Sequence, residues 1–449
     1  MLDALPAGLP MLLAAGREEA LRPLLVQLLV IVVAARAGAA LARGLRQPSV
    51  VGEIVAGLVL GPSVFGALAP DWFAAVFGRG AGGTGAALEA SLTSFSQIGL
   101  VLLLFLIGIE FDFSHVRSQG RAAAAVSVAG VALPFALGLG LAALMAPRLA
   151  ALGGPATIDP RAFALFLGTA MSITAIPILG RILIEMGLQH TALGALVIAA
   201  AACDDAVGWT LLAAVSALAT GNFEPAAIAR MVGATLAFAA AILFVVRPLL
   251  LPRLERAVTR DGEPRLSLGV LSVLLATLFA AAWVTSRIGI FAIFGAFLLG
   301  AALSGVKRVR EAVTAQLSDF VTVFFLPIFF TYTGLRTFVG ALDSPEAWGW
   351  CAAVFAVAVL GKWGGCGLAA RLSGLPAGEA ACVGVLMNTR ALMELIVINV
   401  GMDLGVIPPA VYCMLVFMAI GTTLMATPLA TRLLRGTPHE ATLVARGFL

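Results

Sequence analysis

The chain has 449 residues, of which 61% are hydrophobic and only 12% charged; its mean hydropathy is +1.05 and its formal net charge +4. A soluble domain carries about 25% charged residues, so this composition excludes an ordinary water-soluble enzyme or binding module and makes lipid the solvent for the fold. The modest basic excess, with a pI near 9.0, points to membrane topology and not to a nucleic-acid partner.

The stretch 1–20 contains Asp3, Glu18 and Glu19, with no basic residue ahead of its short apolar run, so it is not expected to be a cleaved signal peptide. A crossing helix needs about 20 apolar residues. Cutting at charges, prolines and glycine clusters predicts about thirteen such segments, at 21–42, 49–66, 91–110, 121–146, 161–186, 191–219, 226–250, 266–286, 289–305, 316–340, 346–370, 378–402 and 408–433. The second and ninth are short, and the split between the eighth and ninth rests on Ser286-Arg287. With the N-terminus outside, the basic residues favour the cytoplasmic connections by roughly two to one, which predicts N-outside, C-inside. The longest polar connection runs 251–266 and the tail after Arg435 is short, so no soluble nucleotide-binding domain is expected. All five cysteines fall in apolar segments and read as small hydrophobes.

Two segments are interrupted. The fifth reads Met171-Ser172-Ile173-Thr174-Ala175-Ile176-Pro177, and Pro177 has no backbone N–H to donate. The twelfth reads Met387-Asn388-Thr389-Arg390-Ala391-Leu392-Met393-Glu394, with four polar residues in the middle of an apolar helix. Broken backbone at membrane depth is tolerated only where it is buried in protein or lines a cavity. With 226–250 set aside as a connector, 21–219 and 266–433 form two six-helix repeats, and each interrupted segment is the fifth member of its repeat. The two run in opposite directions, as expected of an inverted-repeat transporter whose site lies where discontinuous helices cross. The fold class is therefore an all-α polytopic membrane protein.

The sixth segment places Asp204 and Asp205 near its centre. One Asp at mid-bilayer costs roughly 2.5–3.5 kcal/mol. Two neighbours about 100° apart on a helix cannot both serve a single packing contact, so the pair reads as a functional site. Only two of the 28 basic residues are lysines, and one of them, Lys362, lies inside the eleventh segment beside Gly361, Gly364 and Gly365. Lysine can lose its proton when desolvated, whereas arginine effectively cannot. Arg390 and Glu394 stand four apart, which on a helix is one face. Arg36 reads as a snorkelling side chain near a helix end, and Glu53 and Asp319 as structural.

These residues resemble the Kef/NapA-like monovalent cation:proton antiporters. The resemblance runs through Gln47-Pro48-Ser49-Val50-Val51-Gly52-Glu53 with Leu60-Gly61-Pro62-Ser63, Gly99 to Glu110, the Asp204-Asp205 pair, and Asn388 to Val397, the last looking like the branch related to plant cation/H+ exchangers. It implies an NhaA/NapA-like fold of thirteen helices, a homodimer with a dimerisation domain and a mobile core, and an elevator-like motion in the bacterial inner membrane. By motif position Asp205 resembles the principal cation- and proton-binding aspartate, and Asp204 the aspartate that pairs with a lysine, whose position Lys362 matches. Arg390 falls at a basic position of the second broken helix. Kef-type proteins often have Gln in place of the first Asp and many carry nucleotide-binding domains; this sequence departs from both patterns.

The reading is thus an antiporter, not an enzyme, with no cofactor. Protons would compete with Na+ or K+ for Asp205, Asp204 and Lys362 would form a coupled ion pair, and Ser172, Thr174 and freed carbonyls would complete an oxygen shell. A cation channel and a sodium-coupled solute symporter are the alternatives.

Overall fold

A computed structural model describes residues 9–45, 47–77, 83–110, 120–150, 152–153, 158–174, 176–189, 191–220, 225–258, 264–390, 392–446 and 448. All secondary structure among them is helical: α1 (Leu9–Gly44), α2 (Ser49–Val59), α3 (Gly83–Glu110), α4 (Gly120–Met145), α5a (Pro160–Ser172) and α5b (Ile176–Glu185), and α6 (Ala192–Thr220). There follow α7 (Pro225–Ala241, Ile242–Val246, Arg247–Ala257), α8 (Leu268–Ile288), α9 (Ala292–Leu303) and α10 (Lys307–Phe320, Val321–Phe325, Leu326–Arg336). Then come α11 (Pro345–Val359, Leu360–Gly364, Gly365–Leu372), α12a (Ala377–Met387), α12b (Leu392–Asp403) and α13 (Pro409–Leu433), with short unnumbered helices at Phe65–Leu68, Pro70–Phe77 and Glu440–Ala445. The middle pieces of α7, α10 and α11 are single π-helical turns.

Among the described residues, ten helical stretches are long and apolar enough to cross a bilayer. The short α2 and α9 and the interrupted α5 fill the remaining predicted segments, and α12 is interrupted as well. Boundaries moved where a helix outlasts its apolar stretch. The tenth segment, predicted from residue 316, begins at Lys307, and the seventh, predicted to end at residue 250, runs on to Ala257. In both cases the hydrogen-bond ladder continues through charged residues beyond the apolar stretch. Ser286-Arg287 does not divide the eighth and ninth segments; both residues belong to α8, which stops at Gly289 with φ +98°, a left-handed C-cap that favours glycine. Several starts are set by proline in the first turn, where its missing N–H removes no helical bond. Asp159 ahead of Pro160 and Ser344 ahead of Pro345 accept from the backbone amides of Arg161 and Ala347 at 2.7 and 3.2 Å.

The helices pack as two bundles that cut across chain order. One contains α4, α5, α6, α11, α12 and α13; the other contains α1, α2, α3, α8, α9 and α10. Each takes three members from each predicted repeat. The second bundle is held close by backbone contact. Gly57 on α2 meets Gly334 on α10, and Gly108 on α3 meets Gly300 on α9, so closely that a Cβ on any of the four would strike the opposing backbone. Small residues of this kind give membrane helices their dispersion contact where burial from water supplies none. Arg36 pairs with Glu53 at 3.5 Å, and Glu53 is buried in α2.

A polar clasp joins the two bundles at one end. Arg336, the last residue of α10, lies with Nη1 2.6 Å from Asp403 Oδ1 on α12b, and donates to Tyr332 Oη at 3.0 Å and Asn399 Oδ1 at 3.1 Å. Asn399 donates to Thr333 Oγ1, and Tyr412 on α13 donates to Asn399 Oδ1, both at 3.0 Å. The guanidinium also faces both of the chain's tyrosine rings, at 5.2 and 5.9 Å. Hydrogen bonds to charged groups contribute roughly 1.5–3 kcal/mol. Arg336→Ala is therefore expected to lower the thermal unfolding midpoint in detergent by a few degrees, and Arg336→Asp combined with Asp403→Arg to recover part of the loss. An unchanged midpoint in the single variant would show that the clasp adds nothing to the union of the bundles.

Candidate functional site

Both interruptions fall where polar residues meet an apolar helix, the first with Pro177 beside them. α5a stops at Ser172 because Ile173 turns extended, with φ −82° and ψ 145°. Pro177 is the second residue of α5b, so the sequence starts a new helix there and does not kink an old one. α12a stops at Met387, and Asn388 leaves helical geometry with φ −84° and ψ 6°. Thr389 folds its hydroxyl back onto Leu386 O at 2.8 Å. Ala175 and Ala391, one in each interruption, lie outside the described residues.

A helix end leaves carbonyls without intrahelical partners and carries partial negative charge. Each break supplies what the other lacks. From the second break Arg390 donates through Nη1 to Ala170 O at 2.8 Å and through Nη2 to Met171 O at 2.5 Å, capping α5a. From the first break the Thr174 hydroxyl lies 3.1 Å from Met387 O, the last carbonyl of α12a. The same hydroxyl is 2.9 Å from Asp204 Oδ2, so its one proton has a backbone and a carboxylate acceptor. Arg390 also pairs with Glu394 at 3.1 Å. The four-residue spacing holds although Arg390 precedes the first turn of α12b, so the two do not share a helix face as the sequence suggests.

Asp204 and Asp205 are fully buried in α6, and Lys362 is fully buried in α11. Lys362 Nζ lies 2.5 Å from Asp204 Oδ2. Lys362 occupies the centre of the π-helical turn Leu360–Gly364. Such turns insert a residue into the α ladder and recur at functional sites. Gly130 on α4 opens the space beside this pair: a Cβ there would sit 2.5 Å from Cys366 Sγ and 3.5 Å from both Asp204 Oδ2 and Lys362 Nζ. Asp205 is different. Neither of its carboxylate oxygens has a hydrogen-bond donor among the described residues, and the same is true of Asp204 Oδ1 and Asn388 Oδ1.

The structure thus joins Asp204, Lys362 and Thr174 directly, and joins Arg390 and Glu394 to the end of α5a. Ser172 is buried beside them but donates to Thr169 O within its own helix, at 2.9 Å. Sequence reading left Asn388 and Gly130 without roles. Asn388 is a buried amide in the turn after Met387, and its place inside the interruption was the available signal. Gly130 carried none, one glycine among 49. All five cysteines are free thiols; Cys203 is partly buried and the other four are buried.

Residues 29–436 match the family model of the transmembrane sodium/hydrogen exchanger. The chain is 37% identical over 420 residues to the Na(+)/H(+) antiporter NhaS4 of Synechocystis sp., covering 93% of this chain and 98% of that protein. It is 35% identical over 415 residues to Cation/H(+) antiporter 17 of Arabidopsis thaliana, covering 92% of this chain and 48% of that one. With K(+)/H(+) antiporter 1 of Saccharomyces cerevisiae it shares 30% identity over 386 residues, 86% of this chain and 43% of the yeast protein. The chain therefore spans about half the length of these plant and yeast proteins and nearly all of the cyanobacterial one. The solved structure of the sodium proton antiporter MjNhaP1 from Methanocaldococcus jannaschii at pH 8 superposes with a TM-score of 0.52 at 16% identity, covering 95% of this chain and 100% of that one. At that identity the likeness bears on the fold alone.

Removing one partner of a buried ion pair leaves an uncompensated charge and costs roughly 3–5 kcal/mol. Asp204→Asn is expected to lower the thermal midpoint markedly, and Asp204→Asn with Lys362→Met to recover much of that loss. A single variant as stable as the parent would show that Lys362 does not depend on Asp204 for its charge.

Proposed function

This chain belongs to the transmembrane sodium/hydrogen exchanger family, and from that premise we propose how its buried aspartates exchange one ion for another. The protein is a secondary antiporter of protons against a monovalent cation, Na+ or K+. Its relatives bear the names of Na+/H+, K+/H+ and cation/H+ antiporters, and its family is one of transporters.

The observation that carries the site assignment is the unequal pairing of two adjacent buried carboxylates. Asp204 is held by Lys362 and Thr174, while Asp205 is buried with both oxygens clear of donors among the described residues. A bare carboxylate in a low-dielectric interior is costly, so Asp205 takes a counter-ion: a proton in one state and the transported cation in the other. It cannot hold both, and that competition couples the fluxes. Hard monovalent cations prefer oxygen ligands; Asn388 Oδ1 and carbonyls at the interruptions offer more of them. Arg390 and Glu394 hold the crossing in shape. When no cation is bound, Lys362 neutralises Asp204; if the cation draws on both aspartates, Lys362 is free to release its proton.

Alternating access follows from motion of the bundle that bears the site against the other, as in an elevator. The separate packing of the two bundles supports this. The protein acts as a homodimer in the bacterial inner membrane, surrounded by lipid, with its N-terminus outside; the distribution of basic residues supports that orientation.

Purified protein in proteoliposomes, with a pH-reporting dye inside and Na+, K+, Li+ or Rb+ added outside, is the direct test. Asp205→Asn is expected to abolish cation-driven proton flux while the protein still inserts and remains monodisperse. Near-normal flux in that variant would remove Asp205 from its role. Lys362→Gln is expected to shift the pH profile of exchange or to abolish its response to an imposed voltage. A profile and voltage response identical to the parent's would return Lys362 to a purely structural part.

A further inference from the structure

The second interruption is braced by a side chain from a third helix. Arg390 belongs to neither α12a nor α12b, and its backbone polar groups turn to α13. The Arg390 amide donates to Thr423 Oγ1 at 3.2 Å, and the Thr423 hydroxyl donates to the Arg390 carbonyl oxygen. Thr423 is fully buried. One hydroxyl therefore meets both main-chain groups of the residue whose guanidinium caps α5a. Threonines in membrane helices commonly bond back to their own helix, and the neighbour Thr422 does only that, to Met418 O at 2.8 Å and Ala419 O at 3.2 Å. Ala419 O, at 2.9 Å, is the ordinary alternative acceptor for the single Thr423 proton, so the approach to both main-chain groups of Arg390 departs from the pattern of Thr422.

We infer that Thr423 is a positioning residue of the ion site: its hydroxyl fixes the backbone of Arg390, and through Arg390 it fixes the carbonyl end of α5a against the buried aspartates. The inference rests on the antiport reading of that site. The chain of contact is short. Thr423 holds the Arg390 main chain, the Arg390 side chain holds Ala170 O and Met171 O, and three residues on Thr174 meets Asp204. Valine has threonine's shape without its hydroxyl. Thr423→Val leaves the Arg390 amide buried without its acceptor, a defect the chain relieves by letting Arg390 shift. The carbonyls of α5a then lose their fixed donors, and the cation side of the exchange suffers before the proton side, because a proton needs only a carboxylate while a cation needs a placed shell.

The test compares Thr423→Val, Thr423→Ser and Thr422→Val with the parent protein by two measurements. In proteoliposomes, Thr423→Val is expected to raise the apparent KM for the transported cation about tenfold, the scale set by one lost buried hydrogen bond, with a smaller change in maximal rate. Thr423→Ser and Thr422→Val should stay near the parent value. Hydrogen–deuterium exchange of the peptide spanning Arg390, in detergent, is expected to quicken about tenfold in Thr423→Val alone, by the same scale. Exchange and KM in Thr423→Val matching those of Thr422→Val would overturn the inference, as would faster amide exchange with an unmoved KM in an active protein. A parent protein without cation–proton exchange would overturn the antiport reading itself, and amide exchange would then decide whether Thr423 holds Arg390.

Discussion

An interrupted helix inside a membrane protein must find partners for backbone groups that neither water nor its own ladder can serve. Here two interruptions meet that demand for each other. Arg390 from one bonds the last carbonyls of α5a, and Thr174 from the other approaches the last carbonyl of α12a. Neither break is self-sufficient, so neither can be moved without the other. The same constraint draws buried polar side chains to the crossing. Thr174 is shared between Met387 O and Asp204, so the acidic pair is placed by the device that satisfies the backbone.

Every residue of this constellation belongs to one bundle. Asp204 and Asp205 stand on α6, Lys362 on α11, Thr174 between α5a and α5b, and Arg390 between α12a and α12b. Between the bundles, the contacts centred on Arg336 lie at helix ends, away from the crossing. A movement of one bundle past the other would therefore break the clasp while leaving the ion pair and the reciprocal caps intact. A site that travels whole avoids re-forming buried charge contacts in each cycle. A site split between the bundles would have to separate Lys362 from Asp204 in low dielectric, where an unpartnered charge is most costly.

The sequence was legible where a residue violates the rule of its surroundings. Proline and a run of Asn, Thr, Arg and Glu inside apolar segments marked both interruptions. Two aspartates in an alanine-rich helix and one of only two lysines, set inside an apolar segment, marked the ion pair. What stayed hidden was partnership. Nothing in the spacing of Arg390 says that its guanidinium reaches carbonyls some 220 positions earlier, because non-local contact leaves no periodic trace. Glycine contacts such as Gly57 with Gly334 were hidden for the same reason, as was the sorting of helices into bundles that ignore chain order. Helix ends were misjudged at α7 and α10, because hydropathy marks where lipid ends and not where hydrogen bonding ends.

The two buried cations divide the electrostatic work by chemistry. Arg390 presents a planar fork whose charge is permanent, which suits two carbonyls and Glu394 at fixed directions. A group that must keep the helix ends neutral through every state of the cycle cannot be one that surrenders its proton. Lys362 presents a point charge on a flexible stem, held at the centre of a π-helical turn against a single carboxylate oxygen, and lysine as a residue type, unlike arginine, is able to lose its proton. Exchanging the two residue types would put a labile charge on the scaffold and a permanent one on the ion pair. The scarcity of lysine elsewhere in this chain fits that division: the other lysine, Lys307, pairs with Glu311 on an exposed helix face, and the buried one stands beside Asp204.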